Sequence, residues 1–251
     1  MRSSHPPNET RNVALITGAA VRIGAVIATH LHALGMQVVL HYHQSGEAAQ
    51  ALAVRLNNVR PQSAIWLSAD IRNAEGCEQL LAQASAWQGR LDVLVNNAST
   101  FYPTPIGSGR ESDWDDLIGT NLKGPFFLAQ AATPWLRKHN GSIVNIIDAY
   151  AAKPYPEHAI YTAAKAGLLS LTRSLALDLA PEIRVNAVAP GSILWPTTEP
   201  DAQTKAATLG QIPLQRMGSP EQIARAVAYF ITEGSYVTGQ TLAVDGGASF
   251  T

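Results

Sequence analysis

Residues Asn12 to Leu34 read NVALITGAAVRIGAVIATHLHAL. Asn12 to Thr17 is a short apolar run that fits a buried strand. Gly18 breaks it, and Ile23 to Leu34 repeats its apolar side chains at helical spacing. A strand, a glycine turn and a helix start make an anion site, because free backbone amides and the helix dipole meet at the bend. Gly18 permits the tight turn, and Gly24 lets the helix pack close to the sheet. The spacing from Thr17 to Gly24 is wider than the usual dinucleotide fingerprint. Arg22 adds a guanidinium suited to phosphate or to an anionic or acceptor-rich ligand. The competing reading is a plain strand–helix turn with a surface arginine.

The same alternation continues along the chain. Further strands are expected at Gln37–Tyr42, Ser63–Ser68, Leu91–Val95, Ser142–Ile147, Glu182–Ala189 and Gln240–Val244. Between them lie helical patterns at Gly46–Asn58, Asn73–Gln88, Ser112–Lys138, a segment ending near Leu179, and one opening at Ser219-Pro220-Glu221. Seven strands alternating with helices predict an α/β fold: one doubly wound, seven-stranded parallel sheet with helices on both faces.

The chain of 251 residues is 46% apolar, only 15% charged, and carries a formal net charge of −1. Such a balance excludes a disordered chain and gives no basic footprint for nucleic acid. The one cysteine, Cys77, excludes an intramolecular disulfide and a cysteine-rich zinc site, and no metal is expected. It also fits a reducing, cytoplasmic setting. No apolar run is long enough to span a bilayer, and the polar start MRSSHPPNETRN lacks the apolar core of a signal peptide. Residues 1–11 are read as a flexible tail ahead of a single domain, 12–251.

Candidate ligand residues fall at the carboxyl ends of the strands, where such sheets bind. The second strand ends in His41-Tyr42-His43-Gln44-Ser45, without the carboxylate that marks NAD sites. His43, Gln44 and Ser45 offer donors to a 2′-phosphate, which favours NADP; ordinary strand-end polarity is the alternative for the histidines. Asp70 can accept from an adenine amino group, with Ile71 against the ring. Asn96 and Asn97 close a turn, and the small Ala98 leaves room for a cofactor. Thr100-Phe101-Tyr102-Pro103-Thr104-Pro105 sets aromatics on a loop, where they suit stacking on a flat heteroaromatic or packing among neighbours. Asn121, an amide in the middle of a helix, needs a partner and is placed to hold a water beside Lys165. Ser192–Gln215 lacks clean periodicity and is read as a substrate lid, with Trp195 its expected ligand contact.

The stretch Ser142–Gly167 carries the chemistry. Its strand ends on Asp148, and its helix holds Tyr161 and Lys165 four residues apart on one face. An ammonium beside a phenol favours phenolate, so Tyr161 is expected to have a lowered pKa and to act as a general acid. Asp148 can supply or relay a second proton. An exposed helix pair beside a loop aspartate is the plain alternative.

Taken together, these residues resemble the short-chain dehydrogenase/reductase family from about Val13 to Gly247. The resemblance is carried by Thr17-Gly18 with Gly24, Asp70, Asn96-Asn97-Ala98, Asn121, Tyr161 with Lys165, Pro190-Gly191 and Val244-Asp245-Gly246-Gly247. It implies a Rossmann-like single domain, a nicotinamide cofactor, and a homotetramer built on the two long helices. It also places Ile23, Pro190, Gly191 and Ser192 against the cofactor. Two positions depart from the common pattern. Asp148 stands thirteen residues before Tyr161, where the family usually has serine, and Arg22 stands where it has glycine. With His41-Tyr42-His43 and the Phe101 loop, these look like the pteridine reductase branch, which reduces biopterin-like pteridines and dihydrofolate with NADPH. The resemblance implies that Phe101 and the nicotinamide sandwich the pterin. Ser99 and Arg22 would contact pterin and phosphate, Asp148 and Tyr161 would handle protons, and Lys165 would orient the cofactor ribose. A reductase of small ketones or acyl-carrier thioesters, and a non-catalytic NADP-binding sensor, are the other readings.

Overall fold

The alternating apolar runs do form strands. β1 is Val13–Ile16, β2 Gln37–Tyr42, β3 Ala64–Ser68, β4 Val93–Asn96, β5 Ser142–Ile146, β6 Arg184–Pro190 and β7 Thr241–Val244. They make a single sheet in the order β3-β2-β1-β4-β5-β6-β7, with every neighbouring pair parallel. The structure is a computed structural model and describes residues 12–151, 154–196 and 200–250. The expected tail, residues 1–11, lies outside the described residues.

Helices cover both faces. They are α1 Arg22–Ala33, α2 Gly46–Val59, α3 Ala74–Gln88, α4 Glu111–Ile118, α5 Gly124–Lys138, α6 Ala159–Asp178, α7 Ala202–Gly210 and α8 Pro220–Thr232. Side chains alternate across a strand, so β1 feeds two cores. Ala14 and Ile16 pack with α1 and α8 residues such as Ile27 and Val227, whereas Val13 and Leu15 pack with Leu80 of α3 and Leu128 of α5. Every residue of β1, β4 and β5 is buried, as a strand covered on both faces must be.

Local chemistry sets the ends. Asn73 caps α3 by accepting from the Gly76 amide at 2.8 Å. Ser219 and Gln222 form a capping box for α8, with Pro220 in its first turn. At the other end of α8, the Arg184 guanidinium donates to the carbonyls of Phe230 and Gly234.

Two expectations need correction. Ser112–Lys138 is not one regular helix: a π-turn, Gly119–Lys123, separates α4 from α5. The segment Ser192–Gln215 is not wholly irregular, since it contains α7, capped by Asp201 accepting from the Thr204 amide at 2.7 Å. No residue of α7 is buried, so it has no apolar stripe to betray it. Part of the expected lid, residues 197–199, lies outside the described residues.

Candidate active site

The strand order reverses between β1 and β4, and a cleft of about 380 Å³ opens there. Ligands bind such sheets at this switch point. The cleft is lined by the β1–α1 turn, the ends of β2, β3 and β4, and the π-turn. Twelve predicted cofactor residues share it: Gly18, Arg22, Ile23, Gly24, His43, Gln44, Ser45, Asp70, Ile71, Asn97, Ala98 and Ser99. Pro190, Gly191 and Ser192 lie apart from this lining, beside the end of β7, where the Gly191 amide donates to Val244 at 3.1 Å.

The β1–α1 turn is clamped from two sides. Thr17 Oγ1 accepts from the amides of Asn97 and Ala98 at 2.9 and 3.0 Å, and Asn97 Nδ2 donates to the Thr17 carbonyl at 2.8 Å. Gly18 has a φ of +61°, and a Cβ there would meet Ala98 Cα at 2.9 Å. At Gly24 a Cβ would lie 2.2 Å from the Gly18 carbonyl oxygen, so α1 packs straight onto the turn. His41 holds the other side. Its Nδ1 accepts from the Gly18 amide at 3.3 Å, and its Nε2 faces the Ala69 carbonyl at 3.2 Å. An Nδ1 that accepts leaves the proton on Nε2. Burial lowers the pKa of His41 to about 4, which keeps this neutral tautomer. The sequence marked His41 as part of the resemblance, with strand-end polarity as the alternative, and gave no sign of this clamp.

Helix α1 starts without a side-chain cap and without an acid in its first turn, which leaves its first amides open to an anion. Arg22, its first residue, is exposed and has a φ of +53°. That left-handed conformation suits glycine, and a side chain held there is strained. The open helix start, the glycine packing and the cleft at the switch point all fit a dinucleotide.

At the far end of the cleft, Asp70 is gripped by Arg72. Arg72 Nε donates to Oδ1 at 2.9 Å and Nη2 to Oδ2 at 2.8 Å. This pairing holds the Asp70 carboxyl down at about 2. Arg72 also lines the cleft. The sequence reading missed it because nothing in the chain shows an arginine folding back on a carboxylate two residues away.

Asp148, Tyr161 and Lys165 come together outside this lining. Tyr161 Oη donates to Asp148 Oδ2 at 2.7 Å, and the Tyr150 amide donates to Oδ1 at 2.8 Å. Lys165 is buried, donates to the Ile146 carbonyl at 3.0 Å, and lies 5.8 Å from the Tyr161 ring centroid. Burial raises the Asp148 pKa and lowers that of Lys165 to about 8. The expected lowering of the Tyr161 pKa does not hold. Burial and the adjacent Asp148 raise it instead, because the carboxylate is hydrogen-bonded to the phenol and the ammonium only faces its ring.

Phe101 stands over this pair, 55% exposed. Its ring lies edge-on to Tyr161, with centroids 4.8 Å apart, and stacks on His158 at 4.6 Å and 14°. Tyr155 closes the group, 5.9 Å from Phe101. His158 and Tyr155 were not singled out from the sequence. Their only signal was being ring side chains in a proline-bounded loop just ahead of Tyr161.

Two other predicted residues are placed differently. Asn121 does not reach Lys165 through its side chain: Oδ1 accepts from Ser99 Oγ at 2.6 Å, and Nδ2 donates to the carbonyls of Thr100 and Leu117. It fastens the start of the Phe101 loop. Trp195 is half-buried, and its described ring contact is Lys205 of α7, 6.0 Å away. Among the described residues no cluster of three or more His, Cys, Asp or Glu could hold a metal ion, and no helix is long and apolar enough to cross a membrane.

A family model described as "Enoyl-(Acyl carrier protein) reductase" matches residues 18–249. Pteridine reductase 1 of Leishmania tarentolae is 39% identical, over 96% of this chain and 98% of its own. A 3-oxoacyl-(acyl-carrier-protein) reductase of Staphylococcus aureus is also 39% identical, over 93% and 96%. The corresponding Synechocystis enzyme is 38% identical, over 95% and 97%. A match of this span, on a parallel sheet whose cleft opens at the switch point, decides the membership: the chain belongs to the short-chain dehydrogenase/reductase family, oxidoreductases that work with NAD(P)H.

Proposed function

We propose that this protein is an NADPH-dependent pteridine reductase, acting on biopterin-like oxidised or dihydro-pteridines and on dihydrofolate, in the cytoplasm and as a homotetramer. The observation that carries the reading is the 2.7 Å hydrogen bond between Tyr161 and Asp148 beneath the Phe101 ring. A hydroxyl pair suits polarising a ketone oxygen. A pterin instead presents ring nitrogens that must gain protons as the neighbouring carbons are reduced. A carboxyl group whose pKa is raised by burial keeps such a proton above the ordinary carboxylate range.

The roles divide by chemistry. Phe101 offers an exposed aromatic face to a flat ring. Arg22 and the open amides of α1 hold phosphate, and His43, Gln44 and Ser45 take the 2′-phosphate. Ser99 meets the pterin edge. Asp148 and Tyr161 act as one acid: the phenol gives its proton to the ring nitrogen and takes one from the protonated carboxyl, so the hydrogen bond between them reverses its donor as the proton moves. Lys165 keeps a positive charge beneath the phenol and would orient the cofactor ribose; Pro190, Gly191 and Ser192 would hold the cofactor. When bound, the reduced nicotinamide supplies the hydride, and the protein supplies orientation and charge.

The second reading is a 3-oxoacyl thioester reductase, favoured by the equal identity to the Staphylococcus aureus relative. A steady-state panel of dihydrobiopterin, dihydrofolate and an acetoacetyl thioester, each with NADPH and NADH, separates the two. Turnover of the pteridines with NADPH is expected, and activity on the thioester alone would overturn the proposal.

A further inference from the structure

Arg72 does more than grip Asp70. Its Nη1 donates to Asp116 Oδ1 at 3.2 Å, and the other oxygen of Asp116 accepts from the Tyr102 hydroxyl at 3.1 Å. A continuous polar chain therefore runs Asp70–Arg72–Asp116–Tyr102. It starts at the end of β3, in the cleft, and ends on the residue next to Phe101. The loop is staked at its start by Asn121 through Ser99 and Thr100. Tyr102 is the stake on the other side of Phe101. Burial and Asp116 together raise the Tyr102 pKa to about 12, so the phenol stays a donor.

We propose that Arg72, Asp116 and Tyr102 are positioning residues that pass the occupancy of the adenine end of the cleft to the Phe101 loop. The inference rests on the cofactor and substrate reading given above. Asp70 Oδ1 already accepts from both the Arg72 amide and Nε, and Oδ2 from Nη2. A carboxylate has about four acceptor positions, which leaves one, on Oδ2, for an incoming amino group. A donor there draws on the same oxygen as the Nη2 arm and weakens that arm of the fork. The guanidinium then turns its charge towards Asp116, whose contact is at present the longer one. Asp116 follows the guanidinium and carries the Tyr102 hydroxyl with it, so the loop bearing the aromatic platform shifts. Because the ligand favours one arrangement of the chain over the other, the two sites are thermodynamically linked.

Adenosine 2′,5′-bisphosphate fills only the adenine half and reaches no substrate atom, so it isolates this route. The full-length protein carrying Phe101→Trp serves as reporter, with the parent protein subtracted for its own tryptophans. Saturating the fragment is expected to shift the emission of the new tryptophan. Adding Tyr102→Phe, or separately Asp116→Asn, is expected to abolish the shift while calorimetry shows the fragment still bound. In the Phe101 background, Tyr102→Phe is expected to raise KM for dihydrobiopterin about fivefold, the lower end of ordinary coupling, with kcat unchanged. The proposal is overturned if the fragment does not bind, if no shift occurs, or if the shift survives both substitutions. Should the parent protein fail to turn over dihydrobiopterin at all, the pteridine reading falls, and the emission experiment still decides the chain.

Discussion

On the proposed function Asp148 and Tyr161 act as one acid, so their loss should be felt together. We expect Asp148→Ser and Tyr161→Phe each to lower kcat by about 10²–10⁴-fold, the usual contribution of a general acid, with NADPH binding retained by titration. Removing both should cost little more than removing one, because groups that act as a unit are not additive. The pH dependence follows from the direction of the Asp148 shift. Its pKa is raised by burial, so the active, protonated form persists above the ordinary carboxylate range. It is lost as pH rises through the raised value. A kcat profile should therefore fall on its alkaline side, and Asp148→Ser should remove that limb. Arg22 makes a different prediction. Its φ of +53° costs about 1 kcal/mol for a residue with a Cβ. Arg22→Gly should raise stability by about that amount, read by urea denaturation, while weakening ligand binding. A loss of stability would mean that the side chain holds the fold. The sequence showed the identities at these positions but misjudged one environment. Tyr161 and Lys165 lie four residues apart, which suggested a phenol governed by an ammonium. The group that governs it is Asp148, thirteen residues away in sequence and 2.7 Å away in space.

At the scale of elements, the β1–α1 turn is the part most tightly specified. The Cβ of Gly24→Ala would lie 2.2 Å from a backbone oxygen and 2.5 Å from Asn97 Nδ2. A rigid backbone cannot yield as a side chain can, so the substitution should cost about 1–3 kcal/mol of stability. Each 1.4 kcal/mol lost from the phosphate contacts should weaken NADPH about tenfold, measured by calorimetry. Unchanged stability and affinity would show that α1 can slide away from the turn. The strands were legible because each is an apolar run, and β2 was placed to the residue. The π-turn was not: Gly119, Thr120 and Asn121 are weak helix formers but are tolerated inside ordinary helices, and the extra residue shows only in the hydrogen bonding. The aromatic cluster escaped as well. Phe101 and His158 stack across more than fifty residues of sequence, a pairing that no local pattern records.

At the scale of the whole molecule, the two cores and the cleft depend on the same seven strands. A ligand that binds only this arrangement stabilises all of it. At a hundredfold excess over Kd, NADPH should add about 2.7 kcal/mol. For a chain near 250 residues, that is roughly 5–10 °C in Tm. NADH at the same concentration should give a smaller shift, if His43, Gln44 and Ser45 do select the 2′-phosphate. Equal shifts by calorimetric scan would remove that assignment. The fold class could be read from the chain because strand and helix alternate throughout. The chain from Asp70 to Tyr102 could not, because it joins β3, α4 and a loop that are distant in sequence.

The π-turn has a consequence for orientation. One residue added to a helix rotates everything beyond it by about 100°. The segment from Glu111 to Lys138 is thus two helices in succession, set out of phase by a single inserted residue. The first presents its face to α6, which carries Tyr161 and Lys165; the second presents its face to α3. Deleting one residue between Gly119 and Lys123 would leave a longer, more regular helix. It would also swing Asp116 and Trp114 round to new directions, uncoupling them from their neighbours while α5 kept its place. The irregularity therefore acts as a phase offset, letting one continuous segment serve two surfaces that do not face the same way.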